Sequence, residues 1–295
     1  MEAESTYYQL SNGKKMPKIG LGTYRMDQME PILKGITEAG FRHIDTAARY
    51  DNEELVGEAI SKAIKSGKVK REDLFIATKL WHTDYGNPEK ALRESLSKLN
   101  LDYVDLYMIH WPAMFFSDTK IPLHKLWPAL ESLVDKGLVK SLGISNFNVQ
   151  LLSDLLLYAL HKPVCNQIEL HPYCSQSELL KFMKDQGIVP VAYCPLGRPT
   201  SEEAENISDV KKDNRIKEIA EKHGKSVYQV ILRWGIERGC GVIPKSTNVD
   251  HQKLDLEVLD FKLDPDEIGY LSSLEPQEQR ICCKLKDFNE YDLFA

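Results

Sequence analysis

The stretch Gly40-Phe41-Arg42-His43-Ile44-Asp45-Thr46-Ala47-Ala48-Arg49-Tyr50-Asp51-Asn52-Glu53 predicts a short buried strand that ends in a carboxylate, then a turn of small residues, a tyrosine and the start of a helix. A carboxylate at the end of a buried strand is costly unless a cation meets it. The next apolar strand, over residues 73–79, ends in a lysine, and the strand over residues 104–109 is followed by a histidine. If these strands lie parallel and adjacent, their polar ends converge on one rim. We predict an active site there, formed by Asp45, Tyr50, Lys79 and His110.

Strands and helices alternate along the rest of the chain. Eight strands are expected near residues 18–22, 41–45, 73–79, 104–109, 139–144, 164–168, 188–193 and 240–243. Helices end before four of these strands at glycines, which suit the left-handed position after a helix: Gly40, Gly137, Gly187 and Gly239. Alternation implies parallel pairing, and eight strands favour a closed barrel over an open sheet. We therefore predict an α/β fold, a single (β/α)₈ barrel domain over residues 1–295, with its active site at the carboxyl ends of the strands.

Local signals support this organisation. Ser11-Asn12-Gly13 lies between two short extended runs and predicts a β-hairpin ahead of the barrel, within residues 7–19. Asn87 and Pro88 have the chemistry of an N-cap and a first helical position. Apolar residues at helical spacing predict one buried helix face, formed by Val227, Val230, Ile231 and Trp234.

Composition excludes several classes of protein. The 295 residues carry a formal net charge of −6, which argues against non-specific binding of nucleic acid. We find no apolar run long enough for a membrane span and no secretory signal at the N-terminus. The six cysteines form no Cys-x-x-Cys pair, so we expect reduced thiols in the cytoplasm and no bound metal. We expect a monomer, with a dimer as the alternative.

The common nucleotide-binding motifs are missing from the sequence. Gly20-Leu21-Gly22 lacks the third glycine of the Rossmann fingerprint, and there is no P-loop. From the residues alone, the prediction ends at a barrel enzyme with an Asp, Tyr, Lys and His site.

Six segments resemble the signatures of the aldo-keto reductase superfamily, in the family's order. They are 40–53, 74–81, 105–112, 143–147, 166–173 and 243–246. The resemblance, to aldose, aldehyde and xylose reductases, implies a (β/α)₈ barrel that binds NADP(H) in extended form. It also implies reduction of small aldehydes or ketones, sugar aldehydes among them, to alcohols. The family's catalytic tetrad matches Asp45, Tyr50, Lys79 and His110.

The chemistry of these four side chains is consistent with that activity. Hydride delivery to a carbonyl carbon places negative charge on the oxygen, which hydrogen-bond donors stabilise. Tyr50 can donate a proton, and a nearby ammonium lowers the pKa of a phenol. Lys79 would supply that ammonium, Asp45 would keep it charged, and His110 would donate a second hydrogen bond.

Each residue also has a structural interpretation. Asp45 could cap the helix that starts at Asn52, Tyr50 could pack in the rim, Lys79 could extend to solvent, and His110 could be a core histidine. Their conjunction at successive strand ends favours the catalytic interpretation. A non-catalytic nucleotide-binding subunit or structural protein on the same fold remains the alternative function, against which the intact tetrad argues.

The resemblance also implies cofactor residues. Ser145, Asn146 and Gln167 match the positions that hold the nicotinamide carboxamide, and Tyr193 matches the ring that stacks on the nicotinamide. The loops near the ribose and pyrophosphate match Gly22, Thr23, Cys194 and Leu196. The 2′-phosphate clamp matches Lys245, Ser246, Thr247 and Asn248. His251 stands where the family usually has an arginine, and Leu254 and Asp255 replace a Glu-Asn pair, so we expect a weaker preference for NADPH over NADH.

Aromatic residues are expected to line the substrate pocket. These are Tyr24, Trp81 and Trp111, with Phe115 or Phe116, and the segment Ile281 to Leu285 is expected to close it. Arg49 directly precedes the predicted proton donor, at a position where the family often has an apolar residue. It is a solvated loop arginine, or a partner of Asp51, or a binding residue for an anionic group of the substrate.

Overall fold

The computed structural model describes residues 5–197 and 209–274, together with Arg280 and Phe288. Its strands are β1 (Tyr7–Gln9), β2 (Lys15–Pro17), β3 (Gly20–Gly22), β4 (His43–Asp45), β5 (Phe75–Leu80), β6 (Leu106–Ile109), β7 (Leu142–Ser145), β8 (Cys165–Glu169), β9 (Val189–Tyr193) and β10 (Gly241–Val242). Its α-helices are α1 (Glu30–Lys34), α2 (Glu53–Lys65), α3 (Pro88–Leu99), α4 (Leu123–Asp135), α5 (Val149–Tyr158), α6 (Ser177–Asp185), α7 (Asn214–His223), α8 (Val227–Glu237), α9 (Val249–Leu256) and α10 (Pro265–Ser273). A π-turn covers Gly35–Ala39, and 3₁₀ turns cover Ala48–Tyr50, Arg71–Asp73, His82–Asp84, Met114–Phe116, Val210–Lys212 and Glu257–Leu259.

The sheet confirms the predicted barrel. Strands β3 to β10 lie side by side in chain order, and every neighbouring pair is parallel. The last strand returns to the first through a parallel bridge between Ile19 and Val242 and a 2.9 Å hydrogen bond from Val242 N to Lys18 O. The predicted hairpin is also present, as the antiparallel pair β1 and β2.

The strand starts differ from their predicted positions by up to three residues. The strand expected over residues 41–45 begins only at His43. The backbone N–H groups of Gly40 and Phe41 both donate to Gly35 O, which ends the preceding helical turn, and Gly40 has a φ of 103°. Phe41 N is therefore committed to the helix end and is not available to the sheet.

Alternation along the strands divides the core in two. Ile44 and Ile76 face outward into the large cluster that packs the helices onto the barrel. Phe75 and Ala77 face the barrel interior, where Leu10 and Met16 of the hairpin region close the amino end. Because side chains in a strand alternate between faces, this register also turns Asp45 and Lys79 inward, toward the carboxyl end of the interior.

Helix signals in the sequence are confirmed as well. Asn87 caps α3 by accepting a 3.1 Å hydrogen bond from Lys90 N, and Pro88 is the first helical residue. The positive φ angles expected after helices occur at Gly137, Gly187 and Gly239. In the part of the chain that the structure describes, no helix is long and apolar enough to cross a membrane. The single domain over residues 1–295 stays a prediction.

Candidate active site

The buried ion pair between Lys79 and Asp45 lies at the centre of the predicted rim. Strands β4 and β5 are adjacent, and Lys79 Nζ lies 2.6 Å from Asp45 Oδ1. Lys79 is 0% exposed and Asp45 is 1% exposed. The second carboxylate oxygen of Asp45 accepts a 2.7 Å hydrogen bond from Gln167 Nε2. Asp45 is therefore a partner of the lysine and not the cap of α2.

Tyr50 is the third member of this cluster. The 3₁₀ turn Ala48–Tyr50 follows β4 and brings the Tyr50 hydroxyl within 3.3 Å of Lys79 Nζ, which donates to it. Burial lowers the pKa of Lys79, and the adjacent carboxylate of Asp45 acts in the opposite direction. A hydroxyl that accepts from an ammonium still carries its own proton, which it can donate to a ligand in the mouth of the barrel.

His110 follows β6 directly and completes the group. Its ring centroid lies 5.5 Å from that of Tyr50 and 5.1 Å from that of Trp81. Burial, with the positive charges of Lys79 and Arg49, holds the pKa of His110 well below its usual range. The imidazole is therefore neutral at pH 7 and keeps one N–H that can donate to a carbonyl oxygen. The structure thus brings together the four residues predicted as catalytic.

Asn52 is a residue that the sequence analysis missed, because its place before α2 suggested a helix start. It is 3% exposed. Its side chain accepts a 3.0 Å hydrogen bond from Thr46 Oγ1 and donates to Thr23 O at 2.8 Å and to Met26 O at 3.1 Å. These bonds join the loop after β3 to the loop that carries Tyr50, so Asn52 braces both.

Two further titratable residues lie in the barrel interior beneath the ion pair. Burial lowers the pKa of His43 to about 4, and burial raises the pKa of the Cys165 thiol. Both groups are therefore uncharged at pH 7, and neither one neutralises Asp45 or Lys79 from below. The signal for His43 was its spacing of two residues from Asp45 on one strand.

The predicted carboxamide residues form a polar cluster at the ends of β7 and β8. Asn146, which has a φ of 66°, donates from Nδ2 to His110 O at 2.9 Å, and its Oδ1 accepts from the Tyr193 hydroxyl at 2.8 Å. Ser145 Oγ donates to Gln167 O at 2.7 Å. A primary carboxamide needs both donors and acceptors, and the hydroxyl and amide groups of this cluster supply both. The donor set fits a nicotinamide.

The loop after β9 carries Cys194, with a φ of 47°, and Leu196. Lys211, which the sequence analysis missed, donates from Nζ to Leu196 O at 3.2 Å and to Gly197 O at 2.8 Å. It also lies 2.9 Å from the carboxylate of Asp209. Lys211 thus fixes this loop by donating hydrogen bonds to two of the loop's backbone carbonyl groups.

Gly22 and Thr23 make close contacts with the neighbouring strands at the rim of the barrel. A side chain at Gly22 would place its Cβ 2.9 Å from Ile243 O, so only glycine allows this approach. Thr23 is fully buried, and its hydroxyl donates to Asp45 O at 2.9 Å. In this structure the Thr23 hydroxyl is committed to the rim.

The predicted phosphate clamp lies at the start of α9. Asn248 Oδ1 caps this helix by accepting from Asp250 N at 2.8 Å and from His251 N at 3.3 Å. Of the predicted clamp residues, Lys245, Thr247, Asn248 and His251 are exposed, and Ser246 is half-buried. Asp255 is buried, and burial raises its pKa to about 7.

The catalytic candidates and the cofactor candidates lie along one rim of the barrel. The four catalytic candidates come from β4, β5 and β6 and the turns that follow them. The cofactor candidates come mainly from β7 to β10 and the start of α9, which continue around the barrel in the same order. An extended ligand could therefore run along the rim from the tetrad to α9.

Aromatic side chains form the wall of the mouth. Phe288 is fully buried among rings at centroid distances of 5.8 Å for Trp81, 5.7 Å for Trp111 and 5.3 Å for Phe116. Tyr24 packs on Tyr50 with centroids 5.0 Å apart. The sequence analysis missed Phe288, and the closing segment that it predicted, Ile281 to Leu285, lies outside the described residues. Of the two alternatives beside the tryptophans, Phe116 joins the cluster and Phe115 is 73% exposed.

Comparison with known proteins identifies relatives over nearly the whole chain. Residues 9–276 match the model of the Aldo/keto reductase family. An NADP-dependent D-sorbitol-6-phosphate dehydrogenase from Malus domestica is 39% identical over 288 residues, which cover 90% of this chain and 93% of that protein. Aldo-keto reductase family 1 member A1-A from Danio rerio is 40% identical over 296 residues (92% and 90%), and an NAD(P)H-dependent D-xylose reductase from Pachysolen tannophilus is 38% identical over 299 residues (91% and 93%). These names give no support to the alternative of a non-catalytic protein.

Proposed function

We propose, from the premise that the chain belongs to the aldo/keto reductase family, that it is an NADPH-dependent oxidoreductase which reduces aldehydes and ketones to alcohols. The observation that carries the proposal is the position of Lys79. Its ammonium contacts the buried carboxylate of Asp45 at 2.6 Å and the hydroxyl of Tyr50 at 3.3 Å. A lysine so placed links a proton donor in the mouth of the barrel to a fixed negative charge inside it.

The carbonyl oxygen of the substrate binds between the Tyr50 hydroxyl and the His110 ring. Both groups donate hydrogen bonds to the oxygen, on which negative charge develops in the transition state. Tyr50 then transfers its proton to the oxygen, and the Lys79 ammonium stabilises the phenolate that remains. Asp45 keeps Lys79 protonated against the effect of burial, which alone favours the neutral amine.

NADPH, when bound, supplies the hydride that reduces the carbonyl carbon. Ser145, Asn146 and Gln167 would hold its carboxamide, and Tyr193 would lie beside the nicotinamide ring. Asn146 also donates to the backbone carbonyl of His110, so the residue that holds the cofactor also fixes the residue that orients the substrate. The remaining contacts with the cofactor would come from Gly22, Cys194, Leu196, Lys245, Ser246, Thr247, Asn248 and His251. Thr23 was also predicted, but its side chain is fully buried and its hydroxyl already donates to Asp45 O.

The substrate is a small carbonyl compound, whose apolar part packs on Tyr24, Trp81 and Trp111. Trp81 is 7% exposed and Trp111 is 5% exposed, so both offer an apolar surface near His110. Relatives named for a xylose and a sorbitol phosphate support sugar aldehydes as one substrate class. A cytoplasmic monomer stays a prediction from the composition.

An absorbance assay tests the function. Purified protein is mixed with NADPH and a panel of aldehydes and ketones, and the loss of NADPH absorbance is followed while the alcohol product is identified by mass spectrometry. We expect one alcohol formed per NADPH oxidised. Binding of NADPH, seen as quenching of tryptophan fluorescence, without turnover of any carbonyl compound would refute catalysis and favour a binding protein.

A further inference from the structure

Arg49 lies at the mouth of the barrel, next to the reacting residues. It belongs to the 3₁₀ turn that ends in Tyr50, and its side chain is exposed. The guanidinium carbon lies 5.4 Å from the centroid of the Trp81 ring, and that ring lies 5.1 Å from the ring of His110. Tyr50, His110, Trp81 and Arg49 therefore follow one another around the mouth.

The positive charge of Arg49 also has an electrostatic effect on the site. Its charge is one of the causes that hold the pKa of His110 below the usual range. On the other side of the mouth, Arg25 lies with its guanidinium carbon 5.3 Å from the ring centroid of Tyr24, which packs on Tyr50. The chain as a whole has a net charge of −6. Two guanidinium groups beside the aromatic rings of the mouth favour an anionic ligand.

The guanidinium group of Arg49 lies over the Trp81 ring. A guanidinium that packs on an indole ring keeps its N–H groups around the edge of its plane, where they can bind a carboxylate or a phosphate through two hydrogen bonds. Lysine has no such planar group. The packing on Trp81 therefore suits Arg49 to recognise a planar or tetrahedral anion beside the tetrad.

We propose that Arg49 determines substrate specificity by binding the carboxylate or phosphate of an aldehyde whose carbonyl group lies between Tyr50 and His110. This inference rests on the proposed function and names its substrate class. Aldehydes with an anionic group are then preferred over neutral aldehydes of similar size. We expect kcat/KM to be about tenfold higher for the anionic aldehyde than for the neutral one. This is at the lower end of the effect of a charge-assisted hydrogen bond, because Arg49 is exposed.

Two matched pairs of substrates test the preference and separate its two sources. One pair is 4-formylbenzoate and 4-formylbenzamide, and the other is D-glucose 6-phosphate and D-glucose. The measured quantity is the ratio of kcat/KM within each pair, which cancels any loss of activity common to both members. A high ratio in the first pair alone assigns a carboxylate, and a high ratio in the second alone assigns a phosphate.

The variants then attribute the ratio to Arg49. Arg49→Gln should lower the ratio about tenfold, and Arg49→Lys should retain part of it because the charge remains. Arg93→Gln is the control, since Arg93 is an exposed arginine on α3 that pairs with Glu89, and it should leave the ratio unchanged. High salt should lower the wild-type ratio, because screening weakens an exposed charge pair.

The outcomes distinguish this inference from the function on which it rests. Reduction of the neutral aldehydes with ratios near one, or ratios that survive Arg49→Gln, would overturn the role of Arg49 and leave the reductase intact. No reduction of any aldehyde would overturn the proposed function itself.

Discussion

Removal of the Lys79 ammonium should destabilise the fold as well as the reaction. Asp45 is 1% exposed, and in Lys79→Met its carboxylate would keep only Gln167 Nε2, which lies 2.7 Å away in the wild type, in place of both partners. One amide does not replace an ammonium at 2.6 Å. Loss of one member of a buried ion pair costs about 3–5 kcal/mol, so we expect a decrease of that size in the free energy of unfolding.

A double-mutant cycle isolates the interaction energy between Lys79 and Asp45. Asp45→Asn with Lys79→Met removes both charges of the pair and leaves neither of them unpaired, so the double variant should lose less stability than the two single variants together. We expect a coupling energy of about 2–3 kcal/mol. Urea unfolding, followed by tryptophan fluorescence at pH 7, gives the four free energies.

A surface ion pair provides the control. Lys62 Nζ lies 2.7 Å from Glu58 Oε1, but both side chains are about half exposed. Exposed pairs contribute roughly 0.2–1 kcal/mol, so the cycle Lys62→Met with Glu58→Gln should give a coupling below about 1 kcal/mol. A coupling for Lys79 and Asp45 no larger than that of the control would refute the argument that burial makes this pair strong.

Two further predictions concern α9. Asp255 has its pKa raised to about 7 by burial, so the folded state binds a proton that the unfolded state releases near pH 4, and stability falls as the pH rises from about 4 to 7. Asp255→Asn should therefore raise the free energy of unfolding at pH 8 by up to about 4 kcal/mol and change it little at pH 4, and equal urea midpoints at pH 8 would contradict this. His251→Arg should tighten NADPH binding by up to about fivefold at low salt and less at high salt, as for an exposed ion pair. Fluorescence titration measures it, with the exposed His161→Arg as control, and an unchanged dissociation constant would mean that residue 251 does not face the phosphate.

The fold was predictable because its signals are local. Glycines after helices, alternation of strands with helices, and a hairpin turn are each encoded within a few residues. The convergence of Asp45, Lys79 and His110 was predictable for the same reason, since a polar residue at the end of an apolar strand stands out in the sequence, and Tyr50 follows Asp45 in the next turn. Parallel neighbours then bring strand ends together without any further information.

The missed residues depend on contacts between distant parts of the chain. Phe288 joins Trp81 and Trp111 from the other end of the sequence, and nothing in its neighbours predicts that contact. Asn52 has the local appearance of a helix cap, but its side chain instead bonds to the loop after β3. Tertiary hydrogen bonds of this kind override local propensity, and the sequence alone does not show which distant residues form them.

The central claim, that Tyr50 donates the proton in carbonyl reduction, is tested most directly by Tyr50→Phe. The change removes one oxygen and keeps the ring that packs on Tyr24. The account predicts that the variant binds NADPH as the wild type does, while hydride transfer to an aldehyde in a single turnover falls by about 10²–10⁴-fold, the range for loss of a general acid. Hydride transfer within threefold of the wild-type rate, with NADPH bound equally well, would contradict it.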